Sequence, residues 1–488
     1  MSRTDIAFSS ATSLLRALRS RRIGSLELLD HFLERVARHN PRLNALVVTR
    51  IEAARERAKA HDRARRRGES LGPLHGLPMS VKETFDVAGL PSTWGLPALR
   101  DNIAQVNATA VQRLEDAGAI IFGKTNVPVL LADWQSFNPV YGSTNNPWDL
   151  ARSPGGSSGG AASALAAGLT GLEIGSDIGG SIRNPAHCCG VYGHKPTFGI
   201  VPNAGHAMPG SVYPVDIQVV GPLARSAADL ELALGVLAGP DSRQADTWAL
   251  KLRPERRRKL ADFRVALLSD STVAPVDGRI RAALDDMARF LTRNKVKLSR
   301  GARPLLPESE VYTLYVQLLR GATSAVHNDD AAFEAAITAT AVLDVDDRSY
   351  QALQLRGNTQ RHRDWISADN RRHQLMRAWT EFFGKHDLLL CPVATVTAFP
   401  HDHAGDRATR LVEVDGKPRS VNQHLFWAGY SGMFYLPSTV APIGRSAEGL
   451  PIGVQIIGPP GADLACIRFA GLLEKAYCGF VPPPAFAD

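Results

Sequence analysis

Ser153-Pro154-Gly155-Gly156-Ser157-Ser158-Gly159-Gly160 and, after a run of small residues, Gly175-Ser176-Asp177-Ile178-Gly179-Gly180-Ser181-Ile182-Arg183 lie in the least ordinary window of the 488-residue chain. Residues 151–200 hold 12 of its 42 glycines, and their charged residues are Arg152, Glu173, Asp177, Arg183 and Lys195. A surface linker would be more polar, and glycine weakens an ordinary helix because so much backbone freedom is lost on ordering it. The window therefore reads as backbone brought close to a ligand inside the fold.

On either side of this window the chain alternates. Short apolar runs cut by Gly and Pro, at Leu77–Val81, Ala119–Gly123 and Ile200–Pro202, predict strands, with a helical pattern from Ala108 to Ala117 between them. Residues 225–239 return to helical spacing, Phe263–Leu268 reads as a strand, and Pro304–Phe383 is predominantly helical and polar. Leu388–Cys391 and Ile452–Ile457 are again short apolar runs. Alternation of this kind predicts an α/β fold: a large, mostly parallel sheet with helices outside. Residues 12–70 read as helical. Leu28, Leu29, Phe32, Leu33 and Val36 form an apolar stripe behind a capping Ser25, and Asn40 and Pro41 should end that helix. The next helix, Ile51–Arg67, closes on Arg65, Arg66 and Arg67, which complement its dipole. No repeat or long flexible linker interrupts the chain. One domain is expected, with a helical arm over 1–70, a core over 71–240, a helical excursion over 304–383 and a return to the sheet over 384–488.

Composition excludes several classes. Apolar residues make up 44% of the chain and charged residues 21%, enough to bury a sizeable core and too apolar for dominant disorder. The net charge of +8 is interspersed with acidic residues, which predicts a solvated basic surface and no nucleic-acid stripe. Five cysteines, at 188, 189, 391, 466 and 478, are an odd number at irregular spacing, so a reducing, cytoplasmic setting is expected. The N-terminus has no apolar targeting segment, and the most apolar stretch, Ala161–Gly180, is broken by Glu173 and Asp177; no membrane span is expected.

Three motifs point to chemistry only weakly. Gly156-Ser157-Ser158-Gly159-Gly160 matches the pattern of a hydrolase nucleophile elbow but lacks the apolar strand that should precede it. His187, Cys188, Cys189 and His194 have no metal-ligand spacing and read as a core cluster; His401 and His403 read as a polar loop. Lys82, Ser157 and Ser181 are stronger. Lys82 ends the apolar run Gly76–Val81, where burial disfavours the ammonium form and makes the amine a candidate base. The turn Asp177–Ser181 could aim successive backbone N–H groups at an oxyanion. The competing reading is that the glycines only allow close packing and that Lys82 snorkels to the surface.

These blocks, together with Phe122-Gly-Lys-Thr-Asn126, Asn145-Asn-Pro-Trp148, Gly193-His-Lys-Pro-Thr197 and Pro451-Ile-Gly-Val-Gln-Ile-Ile-Gly458, resemble the amidase signature family along nearly the whole chain. The resemblance implies a single α/β domain on a mixed sheet sandwiched by helices. It implies amide hydrolysis by a Ser-Ser-Lys triad with no metal or cofactor. Ser181 would be the nucleophile, Ser157 the bridging serine after a cis peptide and Lys82 the base. The N–H groups of Ile178, Gly179 and Gly180 would form the oxyanion hole, supported by Ser158, Asp177 and Arg183. Leu131, Asp133 and Trp134 should border a small-molecule amide substrate. In Gly432-Met-Phe-Tyr-Leu-Pro-Ser438, which follows Phe426 and Trp427, large aromatic residues replace the small ones that many relatives carry; these rings, Phe426 and Trp427 included, point to an aryl or apolar amide if they reach the cavity. Carbamate or ester cleavage, the amidase component of a tRNA amidotransferase, and a silent anion-binding relative are the other readings. The last keeps the fold without the activity. Relatives commonly form homodimers.

Overall fold

The computed structural model describes residues 3–69, 72–212, 214–326 and 329–487. The boundary expected between 70 and 71 lies outside the described residues. Strands β1 (Leu46–Thr49), β2 (Leu77–Lys82) and β3 (Ala119–Thr125) form a small sheet in the order β1-β3-β2, with β2 parallel and β1 antiparallel to β3. A short pair, β4 (Phe137–Asn138) and β5 (Gly142–Ser143), follows. The strands β6 (Glu173–Asp177), β7 (Tyr192–Lys195), β8 (Val219–Ala224), β9 (Arg264–Leu267), β10 (Lys297–Arg300) and β11 (Leu388–Pro392) belong to a large sheet. After an outlying hairpin, β12 (Leu411–Val414) and β13 (Lys417–Ser420), that sheet is completed by β14 (Ser438–Arg445) and β15 (Pro451–Ile457).

Among the described residues the large sheet has eight strands in the order β10-β9-β11-β15-β14-β7-β8-β6. It is mixed, but the expectation of a mostly parallel sheet needs correction: β9 is parallel to β10 and β11, and the other neighbouring pairs are antiparallel. The reason lies in the connections. Parallel neighbours need long crossovers, which the helix Gly278–Arg293 supplies before β10 and the helices between Glu308 and Lys385 supply after it. The turn between β14 and β15 spans only residues 446–450, so the chain must reverse there. Strands β2, β6, β8, β11 and β15 are buried at every position, as strands covered on both faces must be. One contiguous apolar cluster runs from Ala11 to Phe486.

Local chemistry revised two boundaries. The helix Ser25–Leu43 takes Gly24 as its cap, and Asp62, 37 residues along the chain from Ser25, accepts the Ser25 and Leu26 N–H groups at 2.7 and 3.1 Å. It runs through Pro41 and stops at Asn44, whose φ of 50° is left-handed. Ile200–Pro202 is loop, not strand. Among the described residues no helix is long and apolar enough to cross a membrane.

Candidate active site

Strand β2 ends at Lys82, which is fully buried. Its Nζ lies 2.7 Å from Ser157 Oγ, 2.9 Å from Ser158 Oγ and 3.1 Å from Ser176 Oγ. Among the described residues three hydroxyls and no carboxylate contact the amine, so little offsets its desolvation. Burial pulls the Lys82 pKa from the ordinary lysine value down to about 7, with Asp177 and Glu173 pulling the other way. The Gly156–Ser157 peptide is cis. A Cβ on Gly156 would sit 2.3 Å from the Asp133 carbonyl oxygen, and one on Gly175 would sit 2.6 Å from Ser158 Oγ. Here the glycines let chain segments touch one another, so close packing accounts for much of the glycine excess that the sequence had suggested was for a ligand.

Ser181, 7% exposed, opens the turn into the helix Arg183–Cys189 and shares a cavity wall with Ser157, Ser176, Ile178 and Gly179. Among the described residues no hydrogen bond joins Ser157 Oγ to Ser181 Oγ; the backbone links the two segments, Ser158 N–H donating to the Ser181 carbonyl at 3.1 Å. Asp177 organises the turn. Its carboxylate accepts N–H groups from Gly180 (2.8 Å) and Ile182 (3.1 Å) and a two-pronged pair from Arg183 Nε (2.9 Å) and Nη2 (2.8 Å). Burial alone would raise the Asp177 pKa, but Arg183 and these donors hold it at about 2. Arg183 extends the brace to the Ala428 carbonyl, Ser431 and Gln455. The Gly180 amide is turned to Asp177, while Ile178 and Gly179 line the cavity. The Ile178 carbonyl is pinned by Tyr315 Oη at 2.6 Å. A buried amine of low basicity, hydroxyls in contact with it and amides fixed by a braced turn can move protons and stabilise an oxyanion.

A model of the Amidase family matches residues 27–467. The chain belongs to that family. It is 34% identical over 477 residues to an indoleacetamide hydrolase of Bradyrhizobium diazoefficiens, covering 96% of this chain and 86% of the relative. It is also 32% identical over 506 residues to a glutamyl-tRNA(Gln) amidotransferase subunit of Synechococcus, covering 100% and 99%. Among solved structures it resembles a bacterial aryl acylamidase with a TM-score of 0.80 and 25% identity, over 99% of this chain and 98% of that one.

In this amidase Leu131, Asp133 and Trp134, the residues expected to border substrate, line the cavity. Asp133 is held by Arg410, whose Nη1 lies 2.9 and 2.7 Å from its two oxygens. Phe426 and Trp427 need correction. Both are buried away from the cavity lining: Phe426 packs on Trp427 and Tyr430, and Trp427 Nε1 donates to the Ala274 carbonyl at 3.0 Å. They lie in the helix His424–Gly432, where successive residues point about 100° apart, and it is Leu425 that reaches the cavity. Trp427→Ala is accordingly expected to lower the unfolding free energy by about 3–5 kcal/mol in a denaturant titration. A changed KM at unaltered stability would return the ring to the substrate.

The histidines near the cysteines belong to the core. His187 accepts the Gly453 N–H at 2.9 Å and meets the Val396 carbonyl at 3.2 Å, while His194 bridges Thr439 and Asp463. His403 stacks on Phe137, and His401 meets Asn145 at 3.0 Å. Sequence reasoning missed Ser176, the third hydroxyl on Lys82, although it stands inside the quoted block. It also gave no role to Glu173, whose carboxyl is buried near the hydroxyls of Ser80 and Thr125. Burial raises the Glu173 pKa to about 8, so this side chain is mainly an uncharged acid at neutral pH. The isolated acid in an apolar window was the available signal.

Proposed function

We propose that this amidase cleaves a carboxylic amide with an aryl or apolar body through Ser181, Ser157 and Lys82 by way of an acyl-enzyme. The supporting observation is the 2.7 Å contact between Ser157 Oγ and a buried amine whose pKa has fallen to about 7, beside the cavity that Ser181 lines. Neutral Lys82 takes the Ser157 proton as Ser157 takes that of Ser181, and Ser181 Oγ bonds to the carbonyl carbon. The tetrahedral oxygen takes hydrogen bonds from the Ile178 and Gly179 amides. Lysine then returns its proton through Ser157 to the departing amine, the C–N bond breaks, and water repeats the relay on the ester. Trp94, Leu130, Leu131, Trp134 and Leu425 give the cavity apolar walls suited to a ring.

A panel of anilides, alkyl amides and primary amides, with matching esters and carbamates, tests the class. Anilides should release aniline with a burst equal to the active-site concentration wherever deacylation is slow, and esters should react through the same serine. An absence of turnover on every amide, with carbamates cleaved, would move the assignment to carbamates. The match to an amidotransferase favours a second reading, glutamine use in a hetero-oligomer. His424, Leu425, Phe426 and Trp427 stand where an amino-recognising Asp is expected in such enzymes, so glutamine is predicted to be a poor substrate in the same panel.

A further inference from the structure

The same cavity carries two guanidinium groups, Arg320 and Arg407, that the mechanism does not use. They come from separate elements, Arg320 from the helix Glu308–Thr323 and Arg407 from the turn Arg407–Thr409, yet converge on one phenol. Both donate to Tyr350 Oη, Arg407 at 3.2 Å, and both lie over the Tyr350 ring, with centroid distances of 5.4 and 5.8 Å. Like charges brought together in a partly buried site repel, and here burial and the Arg407 charge lower the Arg320 pKa to about 9. Among the described residues neither arginine has a carboxylate within salt-bridge distance. Asp133, the acid on the same wall, is already taken by Arg410, and the carboxylate of Asp406 caps its own turn at the Ala408 N–H. Among the described residues Arg320 Nε is buried without a hydrogen-bond partner. Both arginines are half-buried, and Asp133 and Asp406 act on Arg407 only through space; with no carboxylate bonded to either guanidinium among the described residues, an anion in the cavity would complete the site.

The position fits a substrate group and not a structural ion. Tyr315, whose hydroxyl holds the Ile178 carbonyl, is five residues before Arg320 on the same helix, about 7.5 Å along its axis. We infer that Arg320 and Arg407 form a carboxylate subsite, so that the preferred substrate is an amide whose apolar body ends in a carboxylate remote from the scissile bond. This rests on the reading of Ser181 and Lys82 given above. It narrows the substrate class from apolar amides to acidic ones, because a planar carboxylate can accept paired N–H groups from both guanidiniums while the ring packs on Trp134 and Leu425.

The test compares matched substrates that differ only in that charge. Para-carboxyacetanilide and para-carbamoylacetanilide place it on the departing amine; succinanilic acid and its carboxamide place it on the acyl side. The wild-type enzyme should favour the carboxylate member of at least one pair by tenfold or more in kcat/KM, expressed mainly in KM and weakened by added salt. In Arg320→Gln and Arg407→Gln that ratio should fall towards one, with Arg320→Lys and Arg407→Lys in between. Wild-type enzyme with no carboxylate preference in either pair overturns the subsite, as does a ratio that survives both Gln substitutions. Calorimetric binding of the same acids to Ser181→Ala protein separates this inference from the mechanism. Arginine-dependent binding without any amide turnover would leave the subsite standing and remove the proposed chemistry; turnover with charge-blind binding would do the reverse. Free benzoate that activates turnover of acetanilide, instead of competing with para-carboxyacetanilide, would make the site regulatory and overturn its assignment to the substrate.

Discussion

Ser181→Ala is expected to abolish amide turnover, with kcat falling by a factor on the order of 10⁴–10⁶, while the protein still binds its substrate and melts near the wild-type temperature. The magnitude is that of removing a nucleophile from a set of residues acting as a unit. The retention of the fold follows from where the hydroxyl sits. Among the described residues the Ser181 hydroxyl holds no structural element in place, whereas the turn around it is braced by Asp177 and Arg183 through backbone and guanidinium bonds that the substitution leaves intact. Ser157→Ala should behave differently. It removes a hydrogen bond to a buried amine, so it should lower stability as well as rate. Mass spectrometry of the enzyme mixed with a slowly deacylating ester decides between the serines: the acyl adduct should map to the peptide containing Ser181. An adduct on Ser157, or a Ser181→Ala enzyme that turns over normally, would exchange their roles or remove the mechanism.

The candidate site was more legible in the sequence than the sheet. Lys82, Ser157 and Ser181 lie in blocks whose glycine spacing is itself informative, because Gly156 and Gly175 admit no side chain where segments cross. Strand direction was harder to read. Apolar runs separated by helical patterns look alike whether the next strand lies parallel or returns beside its neighbour, and the antiparallel majority is set by connections such as the turn after β14. Which ring faces the cavity was also hidden. Leu425, Phe426 and Trp427 are consecutive, and only the placement of their helix, with Trp427 bonded to the Ala274 carbonyl, decides that the leucine is the one that lines the cavity. Arg320 and Arg407 lie 87 residues apart in polar segments, and nothing in either segment says that Tyr350 brings them together.

Under the proposed relay Lys82 should govern the pH response, and the direction follows from burial. A base must be neutral to accept the Ser157 proton, and this amine becomes neutral as pH rises through about 7. kcat/KM should therefore climb between about pH 6 and pH 8 and then level off, where an ordinary lysine would still be climbing near pH 10. Glu173 modulates the upper end of this range. It is uncharged until about pH 8, and only its ionised form favours the ammonium, so Glu173→Gln should leave the lower limb in place and sharpen the plateau. Lys82→Ala should lose a factor of about 10²–10⁴, and Lys82→Arg should lose as much, because a guanidinium keeps its proton throughout this range. Stability supplies an independent check. A lysine whose pKa falls on folding is stabilising in its neutral form: the wild-type fold gains stability as pH rises from about 7 towards the ordinary lysine value and loses it as pH falls back through 7. Lys82→Met removes that dependence, so its melting temperature relative to wild type should be most favourable below pH 7 and least favourable near pH 10. A flat activity profile from pH 6 to 9, or an active Lys82→Arg enzyme, would mean that the proton leaves Ser157 by another route.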